Sequence, residues 1–293
     1  MRLRVPLVLS LGFLLACIGP RPREDAPIAE PDFPAFDSEE GGDSATPNDT
    51  DDTEVPELSV DEAPSGDLSC FSGTLESPAS TAAGDVVLDV RVRDWETGDT
   101  VGNPTVDFSG LGSVEGDSDG ELGKLELPAC VAITATLSTA AELDETKPTT
   151  HARMLTPSAS DWTLSSLSKI TWQIIPSLLG VQQGPGRGMV LGRVADCSGE
   201  PLDHVQVVWE GGGGGYYFVD EFPNRDQLWT SDDGFFAVLN APAGSGQLSA
   251  WAWDGSSHVK VAGATLEVAE DSVRIVELRA AERGDHEVPE DCR

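Results

Sequence analysis

The chain has 293 residues, room for about two domains of ordinary size, and sets 18 Lys and Arg against 51 Asp and Glu for a net charge of −33. So acidic a chain repels a phosphate backbone instead of neutralising it, which excludes nucleic acid as a partner. Its 31 glycines and few long apolar runs point to a turn-rich β protein, and the charge itself serves solubility.

Arg2 and Arg4 precede a short apolar run, Val5 to Leu15, too short to cross a hydrocarbon layer of ~30 Å as a helix. Residues 1–16 therefore read as an export signal. The signal ends in Leu14-Leu15-Ala16-Cys17, which resembles the bacterial lipobox, in which the Cys thiol is joined to diacylglycerol and the chain is cut just before it. Leu15 departs from the smaller residue usual at its position. The resemblance implies that Cys17 is lipidated and that a membrane is the first partner; an ordinary secretory signal with Cys17 incidental is the plainer alternative. Acyl chains contribute ~0.8 kcal/mol per buried CH₂, so several of them anchor a protein without a transmembrane helix. Ile18 stands where Asp would mark retention at the inner membrane, which implies the outer membrane, with the folded part facing the periplasm or the cell surface.

Residues 17–66 form an acidic, Pro-rich linker. Between Gly19 and Gly66 there are 15 Asp and Glu, eight prolines, and only Arg21 and Arg23 as cations. Such a segment buries too little apolar surface to offset chain entropy, so disorder is expected. A neutral flexible chain of this length spans roughly 40 Å, and self-repulsion extends it into a stalk. The spaced oxygen ligands of a calcium loop are absent from it.

A first β-sandwich module is expected over 67–160. Val86, Leu88, Val90 and Val92 alternate, then Asp94-Trp95-Glu96-Thr97-Gly98 makes a turn. Ser118 to Cys130 aligns without a gap against Asp232 to Gly244, pairing Asp119 with Asp233, Gly120 with Gly234, Leu125 with Leu239 and Pro128 with Pro242. Val92, Asp94 and Gly98 likewise face Val194, Asp196 and Gly199 once one residue is skipped. Two coincidences in the same order indicate an internal duplication, with the Asp-Gly pairs read as hairpin turns. Gly123 lies inside the presumed strand beyond Asp119-Gly120 and leaves its boundaries open. Gly116-Asp117-Ser118-Asp119-Gly120 is not a protease nucleophile: Asp replaces the expected Gly, and no His precedes Ser118, the first being His151.

Residues 161–187 form a connecting segment. Leu164, Leu167, Ile170 and Ile174 have helical spacing, Asp161 is placed to cap the first turn, and Pro176 and Gly180 end it. The glycines from Gly184 to Gly188 read as a hinge.

The second module, 188–293, opens with Gly192-Arg193-Val194-Ala195-Asp196-Cys197-Ser198-Gly199-Glu200-Pro201-Leu202 and continues through Thr230-Ser231-Asp232-Asp233-Gly234-Phe235 to Pro242-Ala243-Gly244. This order resembles the carboxypeptidase regulatory-like, transthyretin-like domain over about 188–280. The resemblance implies an all-β protein of two antiparallel sandwiches in tandem, used as stabilising or adhesive modules, and a shared fold does not transfer function. The zinc motif of the catalytic carboxypeptidases is missing, His151, His204, His258 and His286 occur singly, and Gly211 to Gly215 lacks the Lys and Ser/Thr of a phosphate loop. No metal, cofactor or catalytic residue is expected. Neither Val86 to Val92 nor Met189 to Val194 contains the Lys needed for the isopeptide crosslink of collagen-adhesin B-type domains.

With Cys17 lipidated, Cys70, Cys130, Cys197 and Cys292 remain, an even number that suggests two disulfides in an exported chain. Counting leaves three connectivities open. The duplication favours one bridge per module, Cys70 with Cys130 and Cys197 with Cys292. For binding, Leu248, Ala250 and Ala252 share one face of a strand and Trp251 and Trp253 the other. If the aliphatic face is core, the tryptophans stand outward, where they can stack on sugar rings or grip a protein, with Tyr216 and Tyr217 as further candidates. Cover by the connecting helix or by the Tyr216 loop is the bland alternative. The expectation is a non-catalytic, lipid-anchored structural or binding protein for a cell-envelope protein or glycan; the alternative is an accessory subunit of an envelope enzyme or transport complex.

Overall fold

Val86, Leu88, Val90 and Val92 become the buried side of strand β1 (Asp85–Asp94), with Val87 turned to solvent, as a period of two requires. A computed structural model describes residues 58–293 apart from 78–79, 140–145, 211–213, 221 and 285. The export signal, Cys17 and most of the acidic linker lie outside the described residues. The first copy continues with β2 (Pro104–Phe108), β3 (Gly112–Glu115), β4 (Glu121–Pro128), β5 (Ala132–Thr139), β6 (Thr146–Lys147), β7 (Thr149–Met154) and β8 (Asp161–Ser168). Helix α1 (Lys169–Leu178) leads to the second copy. This comprises β9 (Arg187–Ala195), β10 (Val205–Trp209), β11 (Gly214–Val219), β12 (Phe222–Asn224), β13 (Phe235–Pro242), β14 (Gly244–Trp253), β15 (His258–Val268) and β16 (Val273–Arg279).

The protein is an all-β sandwich structure. In the first copy β1 lies between antiparallel β4 and parallel β8, and in the second β9 lies between antiparallel β13 and parallel β16. The opposing sheets, β2-β5-β7 and β10-β14-β15, also correspond. The copies are not separate beads. β16 runs parallel to β7 through Val273–Ile275 and Thr149–His151, fusing one sheet of each copy into nine strands, β12-β11-β13-β9-β16-β7-β5-β2-β3.

One face of this shared sheet carries the row Leu191, Ile275, His151, Ala135. It is covered by the β4-β1-β8 sheet at the first-copy end and by α1 at the other. The opposite face carries Val190, Phe236 and Val276 into the second core, closed by β10-β14-β15. The first core centres on Phe108 and Trp162, whose rings are 6.0 Å apart; the second holds Trp209, Tyr217, Phe236 and Leu248.

Several expectations need correction. The Asp-Gly turns do not join paired strands. Gly120 and Gly234, at φ 74° and 69°, close turns through hydrogen bonds from their N–H groups to Asp117 and Ser231, and lead into β4 and β13 beside β1 and β9. Gly123 does lie inside its strand: at φ 76° it occupies a bulge where the β1–β4 register slips between Val90 and Arg91. Asp161 to Ser168 is strand β8, not helix: Trp162 and Leu164 face the first core, Leu167, of opposite parity, is buried in the cluster that holds Trp172 and Ile175, and the helix begins only where Ser168 accepts the Thr171 N–H. Ile170 and Ile174 are 69% and 42% exposed, while Trp172 and Ile175 make the buried side, packing on Met189, Leu191, Phe218 and Leu239. The presumed hinge is fastened, with Gly184 N–H donating to Asn240 Oδ1 at 2.6 Å and Gln183 Nε2 to Gly188 O at 2.9 Å.

Both disulfides join the expected first module to the second instead of staying within one. Cys70 is bonded to Cys197 and Cys130 to Cys292. The cause is where the flanking segments dock. Leu68 and Phe71 pack on the second core, so Cys70 meets the second copy, while the C-terminal tail buries Val288 and Cys292 against Cys130 and Met154 of the first. Glu76 and Glu282 form a bridge, and residues 281–284 in turn pair with Val261 and Gly263 of β15. Neither edge of β15 is therefore left unpaired at that point.

Candidate functional site

Leu248, Ala250 and Ala252 point into the second core, and Trp251 and Trp253 stand on the outward side of β14, both partly exposed. Across the sheet Trp251 lies between Gln206 of β10 and Lys260 of β15, and Trp253 is opposite His258, their rings 5.2 Å apart at 66°. The cover over this face is neither α1 nor the Tyr216 loop. It is the end of the acidic segment expected to be stalk.

Residues 58–70 form a strap. Ser59 N–H donates to Gln206 Oε1 at 2.8 Å, and His258 Nε2 donates to the Val60 carbonyl at 2.7 Å. Because β14 lies between β10 and β15, these two adjacent residues carry the chain over it, and Val60 is 0% exposed. Further along, Glu62 lies 3.1 Å from His204 Nε2, Ser65 donates through both N–H and Oγ to Asp203 at 2.7 Å, and Asp67 N–H donates to Asp196 at 2.8 Å. The disulfide Cys70–Cys197 closes the strap.

Burial pushes the Asp203 carboxyl up, but the Ser65 bonds and His204 outweigh it and hold the group below its usual value. Asp196 behaves likewise: burial opposes, and the N–H of Asp67 with bonds from Ser198 and Glu200 prevails. The strap is thus fastened at Ser65 and Asp67 by ionised carboxylates, and Trp251 and Trp253 remain partly open.

Tyr216 and Tyr217 do not join this surface. They lie on β11 of the nine-stranded sheet. Tyr217 is buried in the second core, where its hydroxyl accepts the Val207 N–H at 2.8 Å and burial pushes its phenol up. Tyr216 packs at the edge of the α1 cluster. A period-two alternation predicts one of the pair inward, and that signal is present in the sequence. Gln206, His204 and His258, which hold the strap, are isolated polar residues with no pattern to mark them.

Among the described residues no helix is long and apolar enough to cross a membrane. No protein-family model matches the chain, and no curated protein does. Solved structures with some likeness include the Bacillus anthracis TIE protein, at 13% identity and TM-score 0.23, covering 67% of this chain and 34% of that one. A streptococcal ancillary pilin has 11% identity and TM-score 0.21, covering 68% and 63%. The shaft pilin SpaA of Lactobacillus rhamnosus GG, at 9% identity and TM-score 0.20, is covered over 98% of its length by 68% of this chain. The chain therefore spans about a third of the first of these proteins and under two thirds of the second. Likeness at this level carries no argument about role.

Proposed function

We propose that the chain is a non-catalytic binding protein of the cell envelope, lipid-anchored at Cys17 in the outer membrane and carried on the acidic segment up to about residue 57. The paired sandwiches are stabilising modules of the carboxypeptidase regulatory-like kind, and the outward face of β14 contacts an envelope protein or glycan. The observation that carries this reading is the placement of Trp251 and Trp253 side by side on an outer sheet face, partly open to solvent, while Ala250 and Ala252 fill the core. The Leu14-Leu15-Ala16-Cys17 sequence supports the anchor. Cells fed a palmitate analogue should label the wild-type chain and not Cys17→Ser. Photo-crosslinkers at positions 251 and 253 should then capture one envelope component from intact cells. An unacylated mature chain beginning elsewhere removes the anchor, and crosslinkers that capture nothing remove the binding face.

A further inference from the structure

A cleft of about 660 Å³ lies between the two copies, within the ~300–1,000 Å³ usual for small-ligand sites. Its aromatic end is a chain of edge-on rings, Trp95 to Phe218 and Phe218 to Phe235, each pair 6.3 Å apart. Phe218 is buried, whereas Trp95 and Phe235 are partly exposed. The floor is polar. Phe235, Arg193 and Glu277 succeed one another across β13, β9 and β16, and Arg193 Nη2 donates to Glu277 Oε2 at 2.7 Å with both side chains about one-third exposed (33% and 35%). On the neighbouring β7, Arg153 stands two residues beyond His151, on the face that carries Ile275 and Glu277. It is exposed and has no carboxylate partner among the described residues.

We propose that this cleft binds the terminal ring of a glycan bearing a single carboxylate. Three complementarities lead there. A guanidinium with no carboxylate partner among the described residues is presented to an outside anion, and its fork matches a carboxylate. The Arg193–Glu277 pair sets unused donors beside an unused acceptor, which is what adjacent hydroxyls of a sugar require. The half-open rings of Trp95 and Phe235 offer apolar area to the C–H face of a pyranose. The net charge of −33 repels a polyanion, so one acidic sugar fits better than a run of them. The inference rests on the reading of the chain as a binding protein but not on Trp251 or Trp253.

The test is an NMR titration of the chain from residue 17, with Cys17→Ser to keep it in solution, using methyl β-glucuronide, methyl β-glucoside and benzoate. The glucuronide should shift the amides of Ala152 to Met154, Arg193 and Glu277, binding about tenfold more tightly than either other probe. Arg153→Ala should abolish the preference over the glucoside while leaving the remaining spectrum unchanged, and Trp95→Ala should weaken both sugars. Equal affinity for glucoside or benzoate overturns the proposal, as does the absence of shifts at the cleft. Shifts confined to Trp251 and Trp253 overturn it too, while leaving the proposed function intact.

Discussion

The two copies share the backbone bonds of their first turn and differ in the side chain at its tip. Arg91 faces Glu121 on one side and Thr163 on the other; the equivalent Arg193 faces Phe235 and Glu277 in the same register. Asp94 Oδ1 accepts the N–H groups of Glu96 and Thr97, and Asp196 Oδ1 those of Ser198 and Glu200. Gly120 O and Gly234 O accept from Val92 and Val194 at 2.8 and 2.9 Å. The residue after the aspartate is where the copies part. In the first it is Trp95, set edge-on to Phe218 of the other copy; in the second it is Cys197, bonded to the strap. A turn tip whose aspartate already satisfies the backbone tolerates any side chain. There the first copy has a joint and the second a clamp.

The largest effects come from breaking the clamps. Cys70–Cys197 and Cys130–Cys292 close segments of 127 and 162 residues, for which chain-entropy arithmetic gives up to about 5 kcal/mol each. Cys197→Ser and Cys130→Ser should each lower unfolding free energy by roughly 2–5 kcal/mol in urea titrations. Only Cys197→Ser should speed hydrogen exchange across residues 59–67 while 132–138 stay protected. Non-reducing peptide maps supply the sharper check, since a Cys70–Cys130 linked peptide contradicts the crossed pairing outright.

The shared glycines should respond alike. A Cβ on Gly120 falls 2.7 Å from Val92 O, and one on Gly234 falls 2.6 Å from Val194 O, both at positive φ. Gly120→Ala and Gly234→Ala should each cost roughly 2–4 kcal/mol by thermal unfolding. Losses that differ several-fold show that the two turns are alike in sequence only.

The same division separates what is legible in the sequence from what is not. The alternation in β1 and β14, the presence of turns at the Asp-Gly pairs and the duplication rest on neighbours along the chain, so they can be read directly, whereas the strands that those turns join cannot. Whatever depends on a remote partner cannot. Val60 is one of a few scattered apolar residues in an acidic run, and it is buried only because Gln206 and His258 fix the chain on either side of it. Pairing the cysteines by copy fails because nothing local tells that residues 68–71 dock on the second core. Leu164 and Leu167, three apart, fit a helical period and not a strand's alternation, and it is the remote partners that hold them extended, β1 for residues 161–166 and β6 for Leu167 and Ser168. Arg153, Arg193 and Glu277 come together only through the β7–β16 seam, which joins elements more than a hundred residues apart.

Acid should distinguish the joint from the clamp. Burial, with the Arg274 cation adding to it and the bond to Ser165 O opposing, pushes the His151 imidazole down from 6.5 to about 4. Since a carbonyl only accepts, Nε2 carries the proton and the ring is neutral in the native state. The unfolded chain takes up a proton below pH 6.5 while the native one does not until about pH 4, so stability falls across that window, by roughly 3 kcal/mol. The strap carboxylates Asp196 and Asp203 have depressed values, and their contribution persists until the pH drops below 3.8. Urea titrations at pH 7.5 and 4.5 should differ by roughly 2–3 kcal/mol for the wild type and by much less for His151→Gln. An equal pH dependence in both proteins shows that the histidine is not the source.

The smallest effect lies just past the equivalent strands β8 and β16. The first continues into α1, the second into a tail that pairs with β15 and ends at Cys292. The helix is short and contains Pro176, yet both its ends are closed: Ser168 Oγ accepts the Thr171 N–H at 3.0 Å, and past Leu179 the N–H groups of Gly180 and Val181 return to Ser177 O and Pro176 O. Losing the cap in Ser168→Ala should cost about 1 kcal/mol. The same hydroxyl also contacts Thr171 Oγ1, which donates to Glu96 Oε2 beside Trp95. Through Glu96 the cap touches the very turn that distinguishes the copies, so Glu96→Gln combined with Ser168→Ala should fall short of the sum of the two single losses in a double-mutant cycle. Strict additivity means that helix and turn are held independently, and that the joint between copies rests on Trp95 and the β7–β16 seam alone.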